Sequence, residues 1–221
     1  TTTTNTGTGT IINEEASPVG EGWTLDVLDR LHVVTGGVIL NEGAGNSLWF
    51  ASTGGSGGGT FTTPPGDFST LVQNMGGTYT RTLKDGVKQN FNAAGLQTSI
   101  VDRNNNTISF AYVDADLDGQ IDELTMITDA NGLVTTLAYL GTCGVGVSPA
   151  RACTVTDPAG RVTNLQYNSS GQVLSITDPD GAVWQFTPDT GSGRIASMKD
   201  PRNNTTNFSY DFAGRVATVT R

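Results

Sequence analysis

Basic residues are scarce in this chain: 12 lysines and arginines stand against 21 aspartates and glutamates in 221 residues, giving a formal charge of −9 and a pI near 4.4. Nucleic-acid affinity depends on cations that contact phosphates, so this balance argues against such a partner. Charged residues of both signs make up only 15%, while glycine reaches 29 residues, a mix that argues against a helical bundle. No apolar run approaches the ~18 residues of a membrane-spanning helix. Histidine occurs once and cysteine twice, which leaves little to build a zinc site or a histidine-based catalytic centre from. An initiator methionine, a charged leader and an apolar leader core are all missing from the start, which reads as the exposed end of a processed chain. What stands there instead is Thr1, Thr2, Thr3, Thr4, Thr6, Thr8 and Thr10, a β-branched stretch expected to order as an added strand, either on its own chain or on a neighbour.

A repeated phrase organises the second half. Ile100-Val-Asp102, Ile127-Thr-Asp129, Val155-Thr-Asp157, Ile176-Thr-Asp178 and Met198-Lys-Asp200 each open a unit. A turn follows each, as in Asp157-Pro-Ala-Gly160, with Asp accepting local backbone bonds, Pro fixing φ, and Gly or Asn tolerating positive φ at the fourth position. The alternating strands after the turns, such as Arg161 to Tyr167 and Thr205 to Tyr210, make each unit a pair of strands. The first half is less regular. Trp23, Leu25 and Val27, then Val33-Val34, Val38 to Leu40 and Leu48 to Phe50, read as short strands, with a short helix over Leu25 to Leu31 as an alternative and a flexible Gly/Ser loop over Ser52 to Thr60. The expected organisation is an N-terminal lead-in over 1–79 and repeats over 80–221.

The phrases Tyr210-Asp-Phe-Ala-Gly214-Arg-Val216 and Tyr167-Asn-Ser-Ser-Gly171-Gln-Val173, with the looser Phe91-Asn-Ala-Ala-Gly95-Leu96, resemble the Rhs/YD-repeat family, and Gly22-Trp23-Thr-Leu25 resembles the lead-in that precedes such repeats. The resemblance implies an all-β fold of hairpins in a twisted or spiralling antiparallel ribbon with little or no helix. In large toxins of that family the ribbon closes as a shell around cargo.

Two units break the spacing. Successive unit aspartates are separated by 21 and 22 residues from Asp157 onwards, but by 27 between Asp102 and Asp129 and by 28 between Asp129 and Asp157. The first insertion carries Asp114, Asp116, Asp118, Gly119 and Asp122 as D-x-D-x-D-G-x-x-D. Alternating oxygen ligands around a glycine wrap a hard cation, and Ca²⁺ accepts such an irregular shell better than Mg²⁺. The expected ligands are the carboxylates of Asp114, Asp116, Asp118 and Asp122 and the carbonyl of Gln120, a pattern similar to the calcium loops of integrin-type propellers; an acidic turn without metal is the alternative. Thr125 stands where a helix–loop–helix hand needs its bidentate glutamate. The second insertion holds both cysteines, Cys143 and Cys153, expected as a disulfide in an oxidising compartment, with two free thiols as the alternative.

Little here suggests an enzyme. His32 sits in the apolar strand Leu31 to Val34, and the Gly-rich stretch near residue 55 lacks the Lys-Ser/Thr ending of a phosphate loop. Tyr112, Tyr139, Tyr167 and Tyr210 hold equivalent positions and would form a ladder, expected to pack between strands, with sugar binding as the alternative. About a dozen strands at ~4.8 Å would extend some 58 Å, short of the roughly 100 Å needed to encircle a 100-residue cargo. The open edges at the threonine-rich start and at Val216 to Thr220 instead suggest strand pairing with further copies. The expectation is a secreted or cell-surface structural subunit of a calcium-stabilised filament, a homo-oligomer through its edges. The alternatives are a wall segment of an Rhs-type shell and a module binding a surface glycan or protein.

Overall fold

The computed structural model describes residues 17–20, 22–54, 59–139, 143, 151–189 and 191–221. The threonine-rich start lies outside the described residues, as do residues 55–58 of the expected Gly/Ser loop. The described residues contain eighteen strands and no helix. They are β1 (Arg30–Val34), β2 (Gly37–Asn41), β3 (Ser47–Ser52), β4 (Gly59–Thr62), β5 (Thr70–Gln73), β6 (Tyr79–Thr82), β7 (Lys88–Phe91), β8 (Gln97–Val101) and β9 (Thr107–Val113), then β10 (Glu123–Thr128), β11 (Val134–Ala138), β12 (Thr154–Thr156), β13 (Val162–Tyr167), β14 (Val173–Thr177), β15 (Val183–Pro188), β16 (Ile195–Lys199), β17 (Thr205–Tyr210) and β18 (Val216–Thr220). The dozen strands expected become eighteen because the first half folds into the same regular hairpins as the second. Each strand pairs antiparallel with the next from β1 to β18, a single open meander.

The turns fix the register. Asp157 Oδ1 accepts the amides of Ala159 and Arg161, each at 2.9 Å, while Gly160 N–H donates back to the Asp157 carbonyl, also at 2.9 Å. The same pattern holds at Asp102, Asp129, Asp200 and Asp211, with Asn92 and Asn168 taking the aspartate's place at their turns. Asn105 and Asn203 occupy the left-handed position at φ of 64° and 66°, where the other turns place glycine. A register shift recurs where Phe91, Tyr167, Pro188 and Tyr210 end their strands. Such bulges sharpen the local right-handed twist.

One face of the ribbon is buried. Leu31, Val38, Leu40 and Phe50 of β1–β3 pack on Leu71, Tyr79 and Phe91 of β5–β7. Phe110, Leu124 and Leu137 form a second cluster with Ala152, and Leu165, Tyr167, Val173 and Phe186 a third. Full burial of each such side chain is worth roughly 1.5–3 kcal/mol.

What covers the second and third clusters is the lead-in. Trp23, Leu25 and Val27 form no strand, and the Leu25–Leu31 helix is not formed. The alternation at Trp23 and Leu25 suits a strand, but the backbone turns locally, with Trp23 N–H bonded to the Gly20 carbonyl and Leu28 N–H to the Leu25 carbonyl. The segment lies across the buried face instead: Val19 joins the third cluster, the Trp23 ring meets Phe186 edge-on with centroids 5.0 Å apart, and Leu25 and Leu28 pack on the second. Buried Asp29 anchors it, accepting from Gly43 N–H at 2.9 Å and Gln89 Nε2 at 2.6 Å while its own amide donates to Gln97 Oε1 at 2.8 Å. Gln89 passes the connection to buried Arg81, which pairs with Glu42 at 2.9 Å and Asp67 at 3.0 Å. Leu31 N–H bonds to the Gly95 carbonyl, and a Cβ at Gly95 would collide with the Leu31 carbonyl, so this contact requires glycine.

Candidate functional site

The insertion between β9 and β10 folds around its own carboxylates. Gly119 N–H donates to Asp114 Oδ2 at 3.1 Å, Asp118 N–H to Asp116 Oδ1 at 3.2 Å and Gln120 N–H to Asp118 Oδ1 at 2.7 Å. Leu117 and Gly119 adopt positive φ, 63° and 90°, and double the chain back as the sequence pattern requires. Oxygens of Asp114, Asp116 and Glu123 lie within 4.8 Å of one another. Asp114 Oδ1 is buried without a hydrogen-bond partner, and Glu123 is only 6% exposed. Burial pushes the Glu123 carboxyl above its ordinary range; the Ala115 amide opposes this at 2.7 Å, and the charges of Asp122 and Asp116 add to it. Three crowded carboxylates, one with an unsatisfied buried oxygen, fit a hard cation of the Ca²⁺ type.

Of the residues expected as ligands, Asp114 and Asp116 thus share this cluster. Asp122 faces Arg30 at 3.8 Å, and Asp118 stays outside the close group. Glu123 was not foreseen because the D-x-D-x-D-G-x-x-D spacing ends one residue earlier. Its signal was its place as the first residue of the returning strand, opposite Val113, where it is buried next to Leu124.

The second insertion carries the expected disulfide, Cys143 to Cys153, with Cα atoms 5.2 Å apart and both residues buried in the third cluster. The Cys143 carbonyl accepts Tyr167 N–H at 2.7 Å, which ties the bridge to β13.

The four repeat tyrosines act alike. Tyr112 donates its hydroxyl to the Gln97 carbonyl, Tyr139 to Leu124, Tyr167 to Ala152 and Tyr210 to Ile195, at 2.7, 2.7, 2.8 and 2.7 Å and always 15 residues upstream. Burial raises the hydroxyl pKa of Tyr112, Tyr139 and Tyr167 above the ordinary value. These hydroxyls close the repeats, which favours packing over sugar binding for the ladder.

His32 lies on β1, where burial and then the Arg30 charge lower its pKa. It lines a cavity of about 60 Å³ with Arg30, Leu25, Leu28, Leu96 and Leu124, between the lead-in and the β9–β10 hairpin. At the other end, every residue of β18 is exposed, including Val216 and Val219.

Residues 154–183 and 167–192 match the RHS Repeat family. No curated protein matches the chain. Among solved structures, it is similar to a chain of the Photorhabdus luminescens Tc holotoxin pore carrying a mutated TccC3, with 14% identity over 86% of this chain and a TM-score of 0.35. It is also similar to a chain in the crystal structure of TcdB2-TccC3-TEV, with 13% identity over 83% of this chain and a TM-score of 0.31. The chain spans 11% and 12% of the lengths of those two chains.

Proposed function

We propose that this chain is a wall segment of a larger Rhs-type shell: a ribbon that adds strands in sequence to make an enclosing surface. In this reading a calcium ion pins the β9–β10 loop, held by Asp114, Asp116 and Glu123, and the Cys143–Cys153 bridge pins the next inserted turn. The ion would supply only charge neutralisation and stiffness, and no chemical step is assigned to it. The disulfide favours an oxidising setting, extracellular or at a cell surface.

The observation that carries the proposal is the meander itself, in which every strand pairs with its sequence neighbour and one face is buried, in a chain whose repeats match the RHS family. Eighteen strands at ~4.8 Å make a ribbon of roughly 80 Å. Enclosing even a 100-residue cargo, with a radius of gyration of ~13 Å, takes on the order of 100 Å of circumference. A length of wall suits these dimensions better than a whole enclosure. The filament expected from the sequence draws on two ends, Thr1 to Thr10, outside the described residues, and Val216 to Thr220, whereas the wall reading draws on the repeats themselves.

Light scattering in calcium, without reductant and over a tenfold range of concentration, tests it. A constant mass near 23.0 kDa is expected of a wall segment. A mass that keeps climbing with concentration would overturn the reading in favour of an end-joining subunit.

A further inference from the structure

Beyond Trp23 the buried face loses its cover and opens into a groove of about 460 Å³, lined among others by Gly22, Trp23, Val173, Pro188, Arg194 and Tyr210. The Arg194 guanidinium lies over the Tyr210 ring, 5.5 Å from its centroid. It also lies against Gly214, where any Cβ would collide with it; the left-handed turn glycine leaves the seat it occupies. The neighbouring Asp189 and Asp211 feel the Arg194 charge but make no ion pair with it. Asp189 Oδ2 takes the Ser192 amide and hydroxyl, and Asp211 takes the Ala213 and Arg215 amides and Arg215 Nε. Among the described residues Arg194 forms no ion pair, so a planar fork of N–H donors stands over the Tyr210 ring, in the groove that Trp23 also lines, without a carboxylate.

We infer that this groove docks an extended peptide segment that presents a carboxylate side chain to Arg194 and apolar side chains to Trp23, Tyr210 and the open face beyond. Three observations select that occupant. The unmatched group is a cation able to take a carboxylate in bidentate geometry. The same face already receives a peptide, because the chain's own lead-in lies along it with apolar side chains between the strands and its Pro18 carbonyl bonded to Ala152 N–H at 2.8 Å. Apolar surface also continues past the groove on that face, at Val216 and Val219, which are 56% and 58% exposed and stand opposite Tyr210 and Phe208. An acidic sugar fits less well: the Tyr210 hydroxyl is already committed to the Ile195 carbonyl, and the Trp23 ring is packed edge-on against Phe186.

The test titrates the full chain, by tryptophan fluorescence and calorimetry, with three probes. They are the blocked peptide acetyl-Ser-Val-Leu-Glu-Val-Leu-Ser-amide, its counterpart with glutamine for glutamate, and a glucuronate-containing tetrasaccharide. The glutamate peptide is expected to bind saturably and the glutamine peptide about fivefold more weakly, the upper range for an ion pair open to solvent. Arg194→Gln, a change at an exposed side chain, is expected to bring the glutamate peptide down to the glutamine peptide's affinity without shifting Tm. Equal affinity for the two peptides, no saturable binding of either, an unchanged Arg194→Gln variant, or tighter binding of the tetrasaccharide would each overturn the inference.

Discussion

Replacing each ladder tyrosine by phenylalanine removes one oxygen and leaves the ring, so the cost reports the hydroxyl-to-carbonyl bond and little else. Tyr167 is 5% exposed and its acceptor residue, Ala152, is fully buried at 0%. Tyr167→Phe therefore loses a bond worth ~0.5–1.5 kcal/mol and leaves a buried carbonyl without that donor, together about 2 kcal/mol. For a chain of this size that is a fall in Tm of roughly 4–8 °C. Tyr210→Phe removes an equally short bond, 2.7 Å, but Tyr210 and Ile195 are both half-buried, so water replaces the lost hydroxyl and the cost is expected below about 0.5 kcal/mol. Tyr112 and Tyr139 fall between. Urea unfolding of the four variants at neutral pH gives the order directly. If Tyr210→Phe costs as much as Tyr167→Phe, burial does not set the strength of the ladder and the reasoning fails.

Removing the disulfide with Cys143→Ser and Cys153→Ser together is expected to cost about 2–3 kcal/mol on the chain-entropy model for so short a loop, seen as a lower Tm than that of the oxidised parent. Calcium at a hundredfold excess over its dissociation constant should add about 2.7 kcal/mol, lost on chelation; Glu123→Gln should abolish that response in calorimetry, whereas Asp118→Asn should largely keep it. Acid should destabilise the turns. The Asp129, Asp157 and Asp211 carboxyls are held below their ordinary range first by the backbone amides of Leu133, Arg161 and Arg215, and those of Asp102 and Asp200 first by Asn106 and Asn204. Depressed folded-state values give stability that is present above the unfolded value of 3.8 and lost as pH falls through the lower folded values. Tm should thus hold steady down to about pH 5 and drop below pH 4, with a shallower drop in Asp157→Asn, because an asparagine keeps the amide acceptor as Asn168 does at its own turn. Buried Asp29 works with the opposite sign, since burial raises its pKa and protonation there favours the folded chain.

The repeats were legible because their signals are local. An aspartate or asparagine that accepts two amides of its own turn writes its geometry into five consecutive residues, and Tyr167 or Tyr210 at the strand end completes the phrase. The disulfide was legible because the only two cysteines fall in one inserted turn. The lead-in was not: Trp23 and Leu25 have the spacing of a strand, and nothing nearby in the sequence marks Phe186 or the Phe110–Leu124–Leu137 cluster as their destination. The Asp29–Gln89–Arg81 network escaped notice for the same reason, since its members lie 60 and 8 residues apart and each alone reads as a surface polar residue. In the acidic loop, the spacing pointed to Asp122, whereas the first residue of the returning strand, Glu123, is the one that stands beside Asp114 and Asp116.

The lead-in also sets a schedule for synthesis. Neighbouring strands pair as soon as both have left the ribosome, so the meander can grow by short-range steps with little loop-closure entropy. Trp23, however, is made 163 residues before Phe186. At ~5–20 residues per second it waits roughly 8–33 s for the strand it packs against. During that interval Leu25 and Leu28 can already settle on Phe110, Leu124 and Leu137, but Trp23 has no Phe186 to meet and the third cluster is incomplete. Docking of the segment is the step that turns a row of nearest-neighbour hairpins into one cooperative unit. A nascent chain halted before Phe186 would leave the Trp23 end of the segment without its partner, exposed to proteases and to association with other chains.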